Sequence, residues 1–240
     1  MSRINPAKRF PNGGFPPPSI EEHNGILIVR DDYLPGGTKR RVIGPMIADA
    51  REVVYASPAY GYAQVALAYA CRDIGIQATV FTAKRKQYHA RTIEARDAGA
   101  KIVGVPHGYL AVVQKAARDY AAQRSAMLLP FGFDTDEFRD GLASIARSLS
   151  ISPREIWSVA GSGTLNRALQ QAWPQARSFA VKVGRPPDVG RATQFDAPEP
   201  FERDAKIRPP FPSTSNFDAK AWQFITRHAS KGALFWNVAA

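Results

Sequence analysis

Residues 52–81 read EVVYASPAYGYAQVALAYACRDIGIQATVF, and this stretch decides the fold. The apolar run Glu52–Ala56 predicts a buried strand. From Ala63 to Ile74 apolar residues recur at helical spacing, and Gly75 is a typical residue to end that helix. A second apolar strand over Ala78–Phe81 completes a strand–helix–strand unit. Such units are typical of a parallel sheet.

The same alternation continues along most of the chain. It predicts an α/β fold with a doubly wound, mostly parallel sheet covered by helices on both faces. Further strands are predicted at 26–29, 101–105, 126–130, 155–159, 179–183 and 233–236, and helices at 88–98, 110–123, 138–149, 165–173 and 218–228. Seven prolines between Gly184 and Pro212 argue against regular structure there. We therefore expect an extended arm (1–25), a core of two interleaved subdomains (26–184), a Pro/Arg-rich loop (185–215) and a C-terminal helix and strand that complete the core (216–240).

The composition is strongly basic, with 32 Lys+Arg against 21 Asp+Glu and a formal net charge of +11. An enzyme for a small free metabolite has no need of this charge, whereas a protein that meets a polyanion does; a simply basic protein is the alternative. The single cysteine excludes an internal disulfide framework and favours a cytoplasmic location. No apolar run approaches a membrane span, residues 1–18 lack the apolar core of a signal peptide, and the histidines lack metal-ligand spacing. We expect no membrane segment and no metal.

The segment LPGGTKRR, residues 34–41, holds the first candidate catalytic residue. The glycine pair allows the backbone to approach a ligand closely, and Thr38 is a suitable N-cap for a short helix that Gly44-Pro45 could break. Lys39 would then lie in the first helical turn beside Arg40 and Arg41. Neighbouring positive charge and a helix N-terminus lower the pKa of an amine, as Schiff-base chemistry requires. The alternative is a solvated lysine in a basic surface segment.

A glycine loop lies late in the chain, where residues 159–165 read VAGSGTL and lead from a strand into a helix. Backbone N–H groups of such a loop, together with the helix N-terminus, favour a bound anion. The loop lacks the Gly-Lys-Ser/Thr ending of a Walker A motif, and it comes too late and has Asn166 where a dinucleotide fingerprint needs its third glycine. A phosphate monoester on a cofactor remains, as does a plain tight turn.

A lysine after Gly-Gly early in the chain and a glycine phosphate loop late in it resemble the fold-type II pyridoxal-phosphate enzymes. This group includes the tryptophan synthase β chain, cysteine synthase, D-cysteine desulfhydrase and aminocyclopropane-carboxylate deaminase. Residues 55–66 resemble its substrate-carboxylate loop and following helix, 75–81 its next strand, and 217–221 the segment that carries the partner of the pyridine nitrogen. The resemblance covers roughly residues 26–183 and 213–225. It implies a trimmed tryptophan synthase β-like fold with pyridoxal 5'-phosphate as cofactor.

The resemblance also implies roles for single residues. Lys39 would carry the cofactor as a Schiff base. Asp218 would keep the pyridine nitrogen protonated and so strengthen the ring as an electron sink, although it could instead cap the last helix. The phosphate would be held by Gly161, Ser162, Gly163 and Thr164, and the substrate carboxylate by Ser57 with the backbone of Ala59, Tyr60 and Gly61. The chain departs from the family in its short length and in lacking the usual Asn beside the cofactor hydroxyl, where Tyr60 or Gly61 takes its place.

Several basic residues are expected close to the cofactor. The cluster Lys84-Arg85-Lys86 follows a predicted strand, and ligands of doubly wound sheets bind beyond the carboxyl ends of strands. With Arg40 and Arg41 it would contact the phosphate backbone of DNA. Residues 209–222 also resemble pyridoxal-phosphate enzymes of bacteriophages that act on amino acids attached to modified thymidines in DNA. That resemblance implies decarboxylation of a serine- or glycine-type adduct on the base.

Two other functions remain open from the sequence. The protein could be a lyase, deaminase or racemase of a free amino acid, in which Lys39 serves the same role. It could also be a nucleic-acid-binding module that keeps the fold without the cofactor. We further expect a homodimer in the cytoplasm, which would be the host cytoplasm if the protein is viral.

Overall fold

The computed structural model describes residues 14–106 and 108–240, which form two compact units. Unit 1 contains Lys39–Phe133 together with the segment that ends at Phe15, and unit 2 contains Pro16–Thr38 and Asp134–Ala240. From Pro16 the chain therefore runs through unit 2, passes into unit 1 at Lys39 and returns to unit 2 at Asp134. Each unit contains its own sheet and its own apolar core.

The secondary structure follows the alternation of strands and helices expected from the sequence. The strands are β1 (Ile20–His23), β2 (Ile26–Arg30), β3 (Glu52–Ala56), β4 (Gln77–Ala83), β5 (Lys101–Val105), β6 (Met127–Leu129), β7 (Glu155–Ala160), β8 (Arg177–Lys182), β9 (Thr193–Asp196) and β10 (Leu234–Asn237). The α-helices are α1 (Gly37–Ile47), α2 (Ala63–Ile74), α3 (Ala90–Asp97), α4 (Leu110–Arg124), α5 (Asp136–Arg147), α6 (Thr164–Ala172) and α7 (Trp222–His228).

Unit 1 contains a four-stranded parallel sheet in the order β5-β4-β3-β6. Its strands are almost continuously apolar because helices cover the sheet, as is typical of parallel sheets. Val54, Phe81 and Val105 from three neighbouring strands form a buried cluster with Val113 and Ala117 of α4. All four carboxyl ends therefore lie at one edge of this sheet.

Unit 2 contains a six-stranded sheet in the order β1-β2-β10-β7-β8-β9. Only β1 is antiparallel to its neighbour, and the other pairs are parallel. The C-terminal strand β10 lies between β2 and β7, so the end of the chain completes the centre of this sheet. Trp157, Phe235 and Ile28 of these three strands are buried together in the core.

The α/β class and the mostly parallel sheets are confirmed, but two local expectations, irregular structure throughout 184–212 and Thr38 as an N-cap, were wrong. Residues 193–196 form β9 within the stretch expected to be irregular, because the segment between the prolines pairs in parallel with β8. The expected extended arm contains β1 at residues 20–23, which pairs with β2 and is compatible with an extended arm; residues 1–13 of that arm lie outside the described part. Pro45 lies inside α1 without ending it, and Thr38 is the second residue of that helix, so it is not the N-cap. None of the helices described in 14–106 and 108–240 is long and apolar enough to span a bilayer.

Candidate active site

The amine of Lys39 lies at the carboxyl edge of unit 1, which we define as segments 57–62, 84–89, 108–109 and 131–133 that follow the four strands. Lys39 Nζ donates a hydrogen bond of 2.7 Å to the carbonyl oxygen of Gly132. The same Nζ lies 5.2 Å from the centre of the Phe133 ring, within the range of a cation–π contact. Lys39 therefore points toward the strand ends, where ligands of α/β proteins bind.

The turn Phe131–Phe133 that receives this amine is held in an unusual backbone conformation. Gly132 and Phe133 have φ values of 74° and 59°, and a left-handed conformation is strained for phenylalanine. Phe133 is fully buried and packs edge-on against the ring of Tyr55, whose hydroxyl is hydrogen-bonded to the backbone of Gly132. Burial raises the pKa of Tyr55, so this hydroxyl stays protonated. These contacts fix the carbonyl that orients the amine of Lys39.

The two residues before Lys39 belong to unit 2 and are tightly fixed there. A Cβ on Gly37 would lie 2.3 Å from the carbonyl oxygen of Val238, so only glycine fits at this position. The hydroxyl of Thr38 donates to Asp31 Oδ2 at 2.6 Å and accepts from Trp236 Nε1 at 2.9 Å. Because Thr38 is immobilised in this way, the backbone that carries Lys39 starts from a defined point.

The loop after β3 is organised by Gln64, the second residue of α2. Its side chain is fully buried, and its amide Nε2 donates to the carbonyl oxygens of Ala59 and Gly61 at 3.2 and 3.0 Å. The backbone of the loop thus wraps around one amide group at the start of the helix. Gln64 is a positioning residue that the sequence reasoning did not assign, although a glutamine at the start of an apolar helix was a visible signal.

Two expected donors of this carboxylate loop are already engaged. Ser57 Oγ donates to the carbonyl oxygen of Pro58 at 2.9 Å, and the backbone N–H of Gly61 donates to the same oxygen at 2.9 Å. Ser57 can meet a substrate carboxylate only if its hydroxyl rotates away from Pro58. The N–H of Gly61 is part of the turn itself, so the expected use of Gly61 as a backbone donor needs the turn to open.

The glycine loop of unit 2 joins β7 to α6 and has no room for a side chain at its centre. Gly163 has φ 84°, and a Cβ there would lie 1.7 Å from the carbonyl oxygen of Asp188. Thr164, the first residue of α6, is fully buried, and its Oγ1 lies 2.8 Å from Ser162 Oγ. The hydroxyls of Ser162 and Thr164 therefore lie beside the N-terminus of α6, and both groups can donate hydrogen bonds to a phosphate.

Arg167 of α6 fastens the segments around this loop. Its guanidinium donates to Asp134 at 2.5 Å and forms an ion pair with Asp188 at 3.2 Å. Burial raises the pKa of Asp134, but hydrogen bonds from Arg167 and Arg139 outweigh this effect and hold the pKa below its ordinary value. The carboxylates near the glycine loop are thus balanced by guanidinium groups, which limits their repulsion of a bound anion.

Asp218 is buried in unit 2 and opens a 3-10 helix, Asp218–Ala221, that runs into α7. The residue at the N-cap position is Phe217, which argues against the alternative that Asp218 only caps the last helix. The ring of Phe217 also lies 3.3 Å from the position that a Cβ on Gly161 would take. Asp218 therefore follows directly after a residue that borders the glycine loop.

The basic residues expected to contact DNA differ in their exposure to solvent. Lys84, Arg85 and Lys86 are exposed at the carboxyl edge of unit 1. Arg41 is only 6% exposed, and the guanidinium of Arg40 forms two hydrogen bonds with Asp73, at 2.8 and 2.9 Å. Only the cluster 84–86 presents its charges to solvent.

The structure thus assigns the expected site residues to two groups. The first, in unit 1, comprises Lys39, the carboxylate loop and the cluster 84–86; the second, in unit 2, comprises Gly161–Thr164 and Asp218. Sequence reasoning missed the groups that hold them, namely Gln64, Gly132, Asp188 and Phe217. Of these, the Phe-Gly-Phe turn directly after a strand was the clearest signal. Within 14–106 and 108–240 there is no cluster of His, Cys, Asp and Glu that could hold a metal ion.

Comparison with known proteins identifies the fold. No protein-family model matches the sequence, and no curated protein matches it either. The structure is similar to the crystal structure of an ACC deaminase homologue, with a TM-score of 0.82 and 14% identity over 97% of this chain and 93% of that chain. It is also similar to diaminopropionate ammonia lyase of Escherichia coli in its apo form, with a TM-score of 0.68 and 12% identity over 95% of this chain and 83% of that chain.

A third solved structure belongs to the same group. It is a pyridoxal 5'-phosphate-dependent aspartate racemase, with a TM-score of 0.61 and 11% identity over 89% of this chain and 83% of that chain. The match to the ACC deaminase homologue covers nearly all of both chains, so a solved structure has the same fold at a similar chain length. This chain therefore has the trimmed fold of the fold-type II pyridoxal-phosphate enzymes.

Proposed function

We propose that this protein is a pyridoxal-phosphate-dependent enzyme that acts at Cα of an amino-acid group. The observation that carries the proposal is the glycine loop Gly161–Thr164. There two hydroxyls, those of Ser162 and Thr164, lie beside the first turn of α6. This cradle suits a phosphate monoester, which is the anchoring group of pyridoxal phosphate.

Other residues of the chain fit the rest of the cofactor. Lys39 has a primary amine at the carboxyl edge of unit 1 and would attach the cofactor covalently through Nζ. Asp218 is a buried carboxylate of unit 2 and would hold a proton on the ring nitrogen. The bound cofactor supplies an electron sink for negative charge that develops at Cα.

The chain's own groups then determine what happens at Cα. Lys39 Nζ, when it is a free amine, can move the proton at Cα, and the carbonyl of Gly132 orients it for this task. The hydroxyl of Ser57 would orient the substrate carboxylate after turning away from Pro58. The similar solved structures include a deaminase homologue, an ammonia lyase and a racemase, so they support chemistry at Cα without selecting one reaction.

For the substrate, we propose an amino-acid group attached to a base of DNA, which the enzyme decarboxylates: the bond from Cα to the carboxylate breaks, CO2 leaves, and a proton takes its place at Cα. Two features favour this over a free amino acid. The chain has a net charge of +11, and the exposed cluster Lys84-Arg85-Lys86 lies at the same edge of unit 1 as the amine of Lys39. Cations placed there can hold a phosphate backbone beside the reacting carbon. A lyase, deaminase or racemase of a free amino acid is the second candidate, and the names of the similar structures favour it.

Two measurements separate these functions. The absorbance spectrum of the protein after incubation with pyridoxal phosphate and gel filtration should show a retained yellow chromophore; a colourless protein would contradict the cofactor. The loaded protein is then incubated with DNA that carries serine- or glycine-modified thymidine, or with free amino acids. Mass spectrometry of the nucleosides should show loss of the carboxylate. Turnover of a free amino acid with unchanged nucleosides would replace the DNA substrate by the second candidate.

A further inference from the structure

The carboxyl edge of unit 1 carries cations that no carboxylate neutralises. Its segments 57–62, 84–89, 108–109 and 131–133 contain neither Asp nor Glu. No ion pair within the described ranges involves Lys84, Arg85 or Lys86, all of which are exposed. In contrast, the guanidinium of Arg40 is paired with Asp73. The edge therefore presents three unneutralised positive charges over a short distance, which attracts a polyanion.

Aromatic rings lie among these cations. The rings of Tyr60 and His89 have centroids 4.5 Å apart, and the guanidinium carbon of Arg85 lies 5.9 Å from the centre of Tyr60. His89 Nδ1 accepts a hydrogen bond from the backbone N–H of Arg91. Burial, and after it the charges of Arg91 and Arg85, hold the pKa of His89 below its ordinary value, so the ring is neutral near pH 7. A neutral ring can stack beside Arg85 without repulsion.

The same surface continues to Tyr109, whose side chain is 81% exposed. Its neighbour Gly108 packs directly on the end of β4, because a Cβ there would lie 2.1 Å from the Cβ of Ala83. Lys84 follows Ala83 in the chain, so Tyr109 is close to the start of the basic cluster. Because most of this side chain is exposed, its ring is accessible to a flat ligand.

Cations beside aromatic rings, of which that of Tyr109 is exposed, are the features by which proteins bind unpaired nucleic acid. The cations attract the phosphates, and the rings stack on bases whose faces a duplex would hide. A free amino acid would use neither set. We infer that the carboxyl edge of unit 1, through Tyr109, Tyr60–His89 and the cluster 84–86, binds nucleic acid in its single-stranded form and stacks its bases.

This inference rests on the nucleic-acid part of the proposed function and deepens it, because it implies that the modified base is presented outside a duplex. It does not depend on the cofactor. A binding experiment with unmodified oligonucleotides involves no turnover at Cα, so its failure can be told apart from a failure of the cofactor assignment.

The test is fluorescence anisotropy with a labelled oligothymidylate of about 15 nucleotides and a duplex of equal length, at several salt concentrations. We expect the single strand to bind more tightly than the duplex. Replacing Tyr109→Ala should weaken single-strand binding roughly 5- to 150-fold, from the loss of one stacked base, and leave duplex binding unchanged. Tyr109→Phe should keep the affinity, because the ring face remains.

The matched control is Tyr33→Ala, since Tyr33 is an exposed tyrosine of unit 2. This variant should bind the single strand as the parent protein does. Equal affinity for single strand and duplex, or an unchanged affinity of Tyr109→Ala, would overturn the stacking surface and leave only a basic face. Heparin and unlabelled oligothymidylate are then compared as competitors at equal concentrations of negative charge. If heparin displaces the labelled oligonucleotide as well as oligothymidylate does, the stacking surface is overturned as well.

Discussion

The substitution Gly163→Ala tests the phosphate cradle most sharply, because the structure fixes both the strain and the collision that it would cause. Gly163 has φ 84°, and its Cβ would lie 1.7 Å from the carbonyl oxygen of Asp188. A left-handed conformation costs an L-residue about 1–2 kcal/mol. The collision is with backbone, so the segment at Asp188 must move, which adds about 1–3 kcal/mol by comparison with overpacked cores.

A matched control separates the cost of the backbone strain from the cost of the collision with Asp188. Gly232 lies in the same unit with φ 81°, but nothing lies within 4 Å of its would-be Cβ. Gly232→Ala should therefore lose only the strain of about 1–2 kcal/mol. Gly163→Ala should lose about 1–3 kcal/mol more in urea unfolding. A melting temperature roughly 2–12 °C below that of Gly232→Ala corresponds to this difference.

Cofactor binding gives the second readout for this pair. Movement of the loop should remove at least one charge-assisted hydrogen bond to the phosphate, about 1.5–3 kcal/mol, and so raise the Kd for pyridoxal phosphate roughly 10- to 150-fold. Gly232→Ala should bind the cofactor as the parent protein does. Equal stability and equal cofactor affinity of Gly163→Ala and Gly232→Ala would show that the backbone contact at Asp188 does not shape the loop.

Four further outcomes are expected. Thr164→Val should weaken cofactor binding in a spectroscopic titration, since a buried hydroxyl beside Ser162 is lost; an unchanged Kd would count against the loop. Asp218→Asn should still retain the cofactor but lose most turnover, because a neutral amide cannot hold the ring nitrogen's proton; full activity would return Asp218 to a structural role. Replacing Lys84, Arg85 and Lys86 together by Ala should flatten the log–log salt dependence of single-strand binding by about 2, from three phosphates at about 0.7 each, and an unchanged slope would make the cluster a solvated face. Asp134→Asn should be less stable than the parent near pH 7: because the folded pKa of Asp134 is lowered, its contribution is present above the unfolded pKa of about 3.9 and is lost as pH falls through the folded pKa. Urea unfolding at several pH values should show the two proteins converge in acid, and a constant difference would contradict the pairing with Arg167 and Arg139.

The sequence predicted those parts of the fold that depend on local periodicity. The helix 63–74 and the strand 101–105 have the bounds expected from their apolar spacing. It could not predict that residues 193–196 pair with β8, because four residues between prolines gain their stability only from a neighbouring strand. The sequence also could not predict that α1 continues through Pro45, because proline usually ends or kinks a helix.

The candidate site divides in a similar way. Lys39 and the glycine loop were singled out by their residue types and Asp218 by the family resemblance, and their roles stay predictions. Arg40 and Arg41 had the same appearance as the cluster 84–86, and only packing distinguishes them: Arg41 is buried, whereas Lys84 and its neighbours face solvent. The contacts of Lys39 with Gly132 and of Gln64 with the carboxylate loop join residues whose relation is set by the tertiary fold.

The proposed function depends first on Lys39 as the residue that carries pyridoxal phosphate. The most direct measurement is borohydride reduction of the loaded protein, followed by digestion and mass spectrometry of the peptides, with Lys39→Ala and the exposed-lysine variant Lys115→Ala treated in parallel. We expect a pyridoxyl group on the peptide that contains Lys39 in the parent protein and in Lys115→Ala, and none in Lys39→Ala. A label on another lysine, or equal labelling of Lys39→Ala, would contradict it.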